Sequence, residues 1–413
     1  MTEDKGPEAP AQNAPPEEED APRRPEIGQW HTVLRSITTG NALVAVLAVV
    51  LAVVFGSLLI MVTDEEVRDS AGYLFARPGD FLQASWDAIW GAYTALFRGS
   101  VYNNQVDDFQ TAIRPLTETL KFAGPLIMAG LGVGLAFRAG LFNIGGRGQM
   151  LLAGAAAGWV AIKVDMPAPL HLIVATAAAM LAGALWAGLA GLLKARTGAH
   201  EVIVTIMLNY VGFYLVFFAL SRQGILQAPN SFNAKSLPMQ ETATMPKLFG
   251  DRFNVHIGFV IALVAVVLVW WLLNRSSLGY RFRAVGENPH AARTAGIDVG
   301  RAYVGVMLIA GALVGLAGAN QVLGTVTSGV TTDLDAGIGF DAITVALLGR
   351  SHPIGILFAG LLFGAFKAGG FSMQASEGIP VDIVLVIQSL IVLFIAAPPL
   401  IRAIFRLPAK EAL

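Results

Sequence analysis

The chain has 413 residues, of which 55% are hydrophobic and 14% are charged, and its formal net charge is −1. Soluble domains carry about 25% charged residues, so this composition indicates an all-α polytopic membrane protein. With a net charge this close to zero, the chain lacks the overall positive charge that would indicate nucleic-acid binding. Because cysteine is absent, disulfides, thiolate nucleophiles, zinc–thiolate sites and iron–sulfur clusters are excluded.

The N-terminal segment 1–36 is rich in proline, glutamate and alanine and shows no apolar period. Such a segment cannot bury enough surface to offset its ordering entropy, so we predict a disordered cytoplasmic tail. It does not read as a signal peptide, because its start is acidic and proline-rich and the first apolar run is too long. Residues 37–407 are predicted to form the transmembrane domain.

Ten segments are apolar enough to be predicted as membrane spans, since a bilayer core of about 30 Å requires about 20 apolar residues in a helix. The second, third, eighth and ninth are weaker than the others. The ten are residues 40–63, 117–137, 142–162, 166–193, 202–221, 255–274, 302–323, 337–349, 353–370 and 383–401.

Basic residues precede the first span and acidic residues follow it, which predicts a cytoplasmic N-terminus because Lys and Arg collect in cytoplasmic loops. These residues are Arg23, Arg24 and Arg35 before the span, and Asp64, Glu65, Glu66 and Asp69 after it. Ten spans return the C-terminus to the same side, together with the arginine-rich segment 275–301. We therefore expect a multi-pass protein of the cell membrane with both termini in the cytoplasm.

Residues 64–116 are predicted to form a long external segment. Within it, Trp86, Trp90, Tyr93 and Phe97 recur at helical spacing and are predicted to share one face. Because Trp and Tyr favour the headgroup level, the pattern is typical of an interfacial helix on the outer leaflet. A helix packed over the external mouth of the bundle fits the pattern equally well.

The cytoplasmic segment 275–301 is too long for a tight turn between two spans. Pro289 is well placed as the first residue of a helix with Asn288 as its N-cap, and Gly296 is suited to end it. The sequence predicts a short, alanine-rich helix outside the membrane, which resembles a docking element. A structured loop without a special role is the alternative that these features leave open.

Four segments, in chain order, carry a resemblance to a known family. They are FRAGLFNIGGRGQMLLAG (137–154), GAHEVIVTIMLNY (198–210), GENPHAARTAGI (286–297) and GFDAITVALLGRSHPIGILFAGLLFGAFKAGG (339–370). Together they span most of residues 115–400. The chain resembles the permeases of ABC transporters of the branched-chain amino acid/simple sugar/nucleoside group, and it is most similar to the nucleoside/simple-sugar branch.

The resemblance implies a fold like that of type II ABC importers and a division of labour. Two permease chains form the pathway, and an external binding protein delivers substrate. The sequence leaves open whether the two permease chains are identical, and the resemblance to this branch favours two different chains. Separate ATPase chains bind ATP and Mg²⁺; this chain has no G-x-x-x-x-G-K-[ST] loop, and no cofactor is expected on it. Nucleosides are the first expected substrate, simple sugars the second and branched-chain amino acids the third. The residues expected to couple to the ATPase are Glu287, Asn288, Pro289, Ala291, Ala292, Arg293, Ala295 and Gly296.

Arg147 stands where relatives in this family usually have an acidic residue. A buried Arg costs roughly 2.5–3.5 kcal/mol on insertion scales and requires a partner. With ten spans, spans 2–5 and 7–10 run oppositely, which is the pattern of an inverted repeat. Aligning IGGR at 144 with IGFD at 338 places Arg147 against Asp341, so we predict that these two pair. The alternative is that Arg147 snorkels while Asp341 separately faces a wet cavity.

Other polar residues within the predicted spans are candidates for the translocation pathway, because amide side chains both donate and accept hydrogen bonds. For each of them, hydrogen bonding between helices is the alternative. Glu201 alternatively caps a helix start, and Lys367 is expected to snorkel outward. The candidates are Asn143, Gln149, Glu201, Asn209, Asn320, Gln321, Asp341 and Gln388.

No catalytic or metal site is predicted, because the chain has no H-E-x-x-H, H-x-x-E-H or G-x-S-x-G pattern. Two transport functions remain. An ion-coupled secondary transporter would also use inverted repeats and buried charges such as Asp341 and Glu201. The predicted docking helix favours the permease of an ATP-driven importer, since a secondary carrier needs no ATPase. Membrane lipid, the ATPase, a second permease and a binding protein are the expected partners.

Overall fold

The structure of the chain, a computed structural model, describes residues 41–406. The predicted tail 1–36 lies outside the described residues. Two short turns accompany the helices: a 3₁₀ turn at Glu241–Ala243 and a π-helical turn at Gln321–Thr325. The helices are α1 Asn41–Thr63, α2 Glu65–Ala71, α3 Pro78–Ser100, α4 Phe109–Arg138, α5 Gly146–Lys163, α6 Leu170–Thr197, α7 Glu201–Leu220, α8 Gly258–Arg275, α9 Ser277–Glu287, α10 Pro289–Thr294, α11 Val299–Asn320, α12 Ile338–Leu348, α13 Pro353–Glu377, α14 Val381–Ala396 and α15 Pro398–Ile404.

Seven of these helices are long and apolar enough to cross a membrane, namely α1, α4, α6, α7, α8, α11 and α13. The predicted span 383–401 corresponds to α14 and α15, which together would make an eighth span bent by 91°. The predicted count of ten is not confirmed. The predicted span 337–349 corresponds to α12, whose 11 residues extend about 16 Å and so reach only about half of a bilayer core. The predicted span 142–162 corresponds to α5, whose polar residues leave it too hydrophilic to count as a span by itself.

Helices α4 and α11 are the most deeply buried of the seven spans. Their inner faces contribute to the largest hydrophobic core cluster, which also takes in residues of α8, α12 and α13. A second cluster joins α5 and α6 to the C-terminal end of α11 and the π-helical turn that follows it. The bundle is therefore organised around α4 and α11: α6 packs against α11, and α8 and α13 pack against α4. At the periphery, α1 lies against α14, and α7 lies against α5.

Helices α6 and α11 approach each other through glycine. A Cβ on Gly183 would lie 2.9 Å from the Cα of Gly315, and a Cβ on Gly311 would overlap the carbonyl oxygen of Gly183. Contacts of this kind with backbone atoms cannot relax by a change of rotamer. Small residues at these positions thus bring the two backbones into direct contact, as is common between membrane helices.

We predict that Gly311→Leu lowers the melting temperature of the purified protein, because the new side chain has to separate α6 from α11. Overpacking of this type costs about 1–3 kcal/mol. Gly305→Ala on the same helix is the matched control, since a Cβ there would lie at an ordinary 3.8 Å from the Phe282 ring. Equal melting temperatures for the two variants would contradict the close contact between α6 and α11.

Helices α5 and α12 both begin at mid-height in the bundle rather than at one of its ends. A Cβ on Gly148, in the first turn of α5, would lie 2.9 Å from the Cα of Asn209, which is halfway along α7. A Cβ on Gly146 would lie 2.6 Å from the carbonyl oxygen of Gly339, in the first turn of α12. The N-termini of two helices therefore meet in the middle of the bundle, and segments 139–145 and 326–337 run back into it.

The aromatic segment that was predicted to be external forms helix α3, which packs against α1 and α13. A Cβ on Gly91 would lie 2.7 Å from the Glu377 carboxylate, so this part of α3 runs beside the end of α13. Trp86 and Trp90 are exposed and their rings stack at 6.0 Å. Trp90, Tyr93 and Phe97 line one pocket, as expected for a shared face, and the Tyr93 hydroxyl donates a hydrogen bond of 2.9 Å to the Val53 carbonyl on α1.

Candidate functional site

The loop before α5 is fastened to α7 by one asparagine. The Asn209 amide nitrogen donates to the Ile144 carbonyl at 2.8 Å, and its oxygen accepts from the Gly148 amide at 2.8 Å. Inside the loop, the Gln149 amide nitrogen donates to Asn143 at 2.9 Å, and the Gly145 backbone amide donates to the same Asn143 oxygen at 3.0 Å. Three of the pathway candidates, Asn143, Gln149 and Asn209, thus hold the mid-height start of α5 in place.

We predict that Asn209→Ala lowers both stability and transport. It removes two hydrogen bonds and leaves buried backbone groups unsatisfied, at about 1–3 kcal/mol for each group. Asn274→Ala is the matched control, because that side chain is exposed and bonds only to the Trp270 carbonyl on its own helix. The measurement is the melting temperature together with the amount of protein extracted in folded form. A loss equal to that of the control would mean that the start of α5 does not depend on Asn209.

The predicted pair of Arg147 with Asp341 is wrong, because each residue has another partner. The Arg147 Nε lies 3.4 Å from Oδ1 of Asp335, and the Asp341 carboxylate lies 3.4 Å from the Lys367 Nζ. Lys367 does not snorkel outward, since its Nζ also donates to the Ala336 carbonyl at 2.7 Å. The alignment correctly brought together the first turns of α5 and α12. The two helices cross at Gly146 and Gly339, so the residues further along point to different neighbours.

A pocket of about 240 Å³ opens on the side of the bundle at mid-height, beside Arg147 and Asn209. Its remaining wall is aromatic and consists of Tyr210, Phe213, Tyr214 and Phe340, with Ile206. The Arg147 guanidinium lies 5.6 Å from the centre of the Phe213 ring, within cation–π range. Tyr210 and Tyr214 are 61% and 64% exposed. The pocket combines a positive charge, an amide and four aromatic rings.

A larger cavity of about 900 Å³ lies at the end of α8 remote from α10, and Lys121, His256 and Thr325 are among the residues that line it. His256 is 3% exposed, and its Nδ1 accepts from the Gly258 amide at 3.2 Å. Burial, and then the charge of Lys121, lower the pKa of His256 to about 4, so this ring is neutral at physiological pH.

The Asn320 side chain lies close to His256, because both side chains are beside Gly258. A Cβ on Gly258 would be in contact with both side chains, and Asn320 is only 1% exposed. Neither of its side-chain polar atoms, nor the side-chain oxygen of Gln321, has a hydrogen-bond partner within residues 41–406. These two amides occupy the junction of α11 with the π-helical turn, a geometry frequent at functional sites.

Helix α10 forms as predicted, with Pro289 in its first turn. The Asn288 side-chain oxygen accepts from the amides of His290 and Ala291, both at 3.0 Å, and Gly296 takes a φ of +81° just after the helix. Ala292 is 4% exposed, whereas Ala291 is exposed. The helix is therefore anchored by one face and presents the other to the solvent.

Glu201 opens α7 without capping it. Its carboxylate lies 2.9 Å from the Lys194 Nζ at the end of α6, so it ties together the two helices that flank the turn. Gln388 is buried on α14. The sequence interpretation missed Asp335, Tyr210, Tyr214 and His256. The spacing of Tyr210 and Tyr214 by four residues was a usable signal of a shared helix face, whereas no local pattern marks Asp335 as the partner of Arg147.

A bundle of apolar helices with polar groups at mid-height defines a polytopic membrane protein. The chain belongs to the family described as branched-chain amino acid transport system / permease component, which matches residues 116–396. It is accordingly a membrane-spanning transport subunit and not an enzyme.

Three relatives extend the similarity. The chain is 35% identical over 366 residues to a guanosine ABC transporter permease protein of Bacillus subtilis, NupP, covering 88% of this chain and 95% of the relative. It is 34% identical to a nucleoside ABC transporter permease protein of Lactococcus lactis, NupB, covering 80% and 89%. It is 37% identical to a glucose ABC transporter permease protein of Haloferax volcanii, TsgB13, covering 68% and 75%. No solved structure matches the chain.

Proposed function

We propose that this chain is a permease subunit of an ATP-driven nucleoside importer. The observation that carries the substrate class is its 35% identity, along 88% of its length, with a guanosine permease. A simple sugar is the second candidate, supported by the similarity to a glucose permease over 68% of the chain. The family match favours an ATP-driven importer over the ion-coupled carrier.

The end of the bundle that carries α10 is proposed to face the cytoplasm. Arg138 donates to the Ser351 carbonyl at 3.0 Å, and a Cβ on Gly300 would lie 3.6 Å from Ala195. The turns near residues 138, 195, 286 and 351 thus share this end, where Lys and Arg outnumber the acidic residues. Because basic residues collect in cytoplasmic loops, ATPase chains that bind ATP and Mg²⁺ would dock here.

An inverted repeat of α4–α7 and α11–α14 is proposed for the fold. In each half a long helix is followed by a segment that runs back into the bundle and then by a shorter helix that begins at mid-height. The contact of Gly146 with Gly339 supports a pseudo-twofold axis between the two shorter helices. Counting α5, α12 and the bent pair α14–α15 with the seven spans makes ten membrane-embedded helices, as in type II importers.

The side pocket is proposed to face a second, different permease chain and the pathway between the two. Arg147 has a half-buried side chain at mid-height, where contact of an arginine with lipid would cost roughly 2.5–3.5 kcal/mol. A second protein chain or a hydrated pathway avoids that cost. Tyr210 and Tyr214 also place hydroxyl groups at mid-height, and these likewise favour contact with a second chain or a hydrated pathway over contact with lipid.

The chemistry of the side pocket suits a nucleoside. Stacking of a base on an aromatic side chain contributes about 1–3 kcal/mol, and Tyr210 and Tyr214 offer exposed rings. Of the predicted pathway residues, Asn209 lines this pocket. Asn320 and Gln321, near the other cavity, keep donors and acceptors that fit hydroxyls and ring nitrogens. An external binding protein would deliver the nucleoside to that cavity, which lies at the end opposite α10.

The test is uptake of radiolabelled guanosine into proteoliposomes that hold this chain, its partner permease, the ATPase and the binding protein. We expect uptake that requires ATP, ignores an ionophore, and is competed by other nucleosides but not by glucose. Uptake of glucose in place of guanosine would select the sugar candidate. Uptake that ignores ATP and collapses with an ionophore would overturn the importer.

A further inference from the structure

A groove of about 480 Å³ lies between α9 and the beginning of α11, next to the coupling helix α10. Its outer part is lined by Arg281, Arg301 and Asp298, and its inner part by Phe282, Gly305 and Ile309. The groove therefore has a charged mouth and an apolar floor. It contains none of the predicted pathway residues, and of the predicted ATPase-coupling residues Ala295 and Gly296 border it.

The mouth of the groove carries a net positive charge. Asp298 is already engaged, since its carboxylate lies 3.2 Å from the Arg301 Nε and also accepts from the Arg301 backbone amide at 2.9 Å. Arg281 is exposed and forms no ion pair within the part of the chain that the structure describes. An anion that entered the mouth would therefore meet one unpaired guanidinium and a second one only partly neutralised.

In the proposed orientation, the floor of the groove would reach the depth of the hydrocarbon core. Ile309 is ten residues beyond Val299, the first residue of α11, and so lies about 15 Å further along the helix axis. That distance is about half of the bilayer core. A water-soluble ligand or a docked ATPase would fill only the mouth, whereas a molecule that fills the whole groove must join an anionic group to an apolar chain.

We propose that this groove binds an anionic phospholipid of the cytoplasmic leaflet. Its phosphate would lie between Arg281 and Arg301, and one acyl chain would run past Gly305 to Ile309. Basic pockets between membrane helices on the cytoplasmic side have the chemistry to bind such headgroups. The assignment rests on the proposed orientation of the bundle. It places the lipid against α9, the helix that leads directly into α10, so that lipid composition would influence coupling.

The test measures phosphatidylglycerol retained by the purified transporter, by native mass spectrometry, and the rise in melting temperature when this lipid is added in place of phosphatidylcholine. The double variant Arg281→Ala/Arg301→Ala should bind phosphatidylglycerol about 30-fold more weakly, which corresponds to about 2 kcal/mol for two arginines. Arg275→Ala is the matched control, since Arg275 is exposed at the end of α8 and does not line the groove. It should bind as the unaltered protein does.

A second variant tests the apolar half of the groove. Gly305→Leu places a branched side chain in the apolar half of the groove, where the Cβ itself lies 3.8 Å from the Phe282 ring, and it should abolish lipid binding while leaving both arginines in place. Unchanged lipid binding in both variants would overturn the proposal. So would binding lost with the arginines but kept by Gly305→Leu, since that pattern describes a phosphate site. Loss of ATPase copurification from the double variant, with lipid retained, would assign the mouth to the ATPase. These readouts need no transported substrate, so they stand apart from the outcome of the nucleoside assay.

Discussion

Ala291→Glu is expected to stop coupled uptake without unfolding the permease. Ala291 is exposed on α10, while Ala292 anchors the helix from the other side. If the exposed face docks on an ATPase, the new carboxylate is buried there without a partner, at a cost of about 3–5 kcal/mol. Since 1.4 kcal/mol is a factor of ten in affinity, we expect ATPase binding to fall by more than 100-fold.

The measurement is copurification of the ATPase chains with the permease, alongside the permease's own melting temperature. Ser277→Glu is the matched control, because Ser277 is exposed at the beginning of α9, where a carboxylate is favourable to the helix dipole. It should keep both the ATPase and uptake. If Ala291→Glu also retained the ATPase and full uptake, α10 would be a surface turn without a role in coupling.

The start of helix α10 was predictable to the residue, and its end at Thr294 to within one residue, because everything that defines the helix is local. Asn288 accepts from the amides at the helix start, proline fits its first turn, and Gly296 adopts a left-handed φ beyond its end. No contact distant in the sequence is needed for this geometry. The role of the helix does depend on another chain, and for that reason it stays a prediction.

The spans were predictable where hydropathy applies and not elsewhere. Hydropathy measures transfer into lipid, and it describes helices such as α1 and α7 that expose many apolar side chains. Helices α5 and α12 begin inside the protein, where backbone at membrane depth is satisfied by neighbouring chain segments. For example, the Asn209 side chain on α7 forms hydrogen bonds with the Ile144 carbonyl and the Gly148 amide. Hydropathy does not reveal backbone hydrogen bonds to residues that are distant in the sequence. For this reason α12 was predicted as a full span, although it begins inside the bundle.

The ion pairs show the same limit at the level of single residues. Alignment of IGGR with IGFD identified two segments that are in contact, at Gly146 and Gly339. Which side chains then meet depends on the path of residues 326–337, since that segment brings Asp335 to Arg147. That path is set by tertiary contacts, such as the hydrogen bond of 2.8 Å from the Val330 amide to the Ser236 hydroxyl. The side pocket could not be predicted for the same reason.

Arg147→Met is expected to destabilise the protein strongly, because it leaves the Asp335 carboxylate, whose side chain is 4% exposed, without its partner. Breaking a fully buried pair from one side costs about 3–5 kcal/mol, and because the Arg147 side chain is 34% exposed, solvent screening reduces the expected loss to the lower end of that range or below it. Adding Asp335→Asn should restore most of the loss, since no uncompensated charge then remains. Adding Asp341→Asn instead should restore nothing, because Asp341 is paired with Lys367. The measurement is the melting temperature of each purified variant.

Rescue by Asp341→Asn, and not by Asp335→Asn, would reinstate the pairing expected from the sequence alignment. If Asp335→Asn restores stability, a measurement of uptake on the same double variant distinguishes a purely structural role of Arg147 from a role in transport. A neutral pair keeps α5 and α12 in contact but removes the positive charge beside Phe213. Recovery of stability with recovery of uptake would mean that Arg147 serves the fold alone. Recovery of stability without uptake would mean that the guanidinium also acts in the pathway, where it faces Tyr210 and Tyr214 across the side pocket.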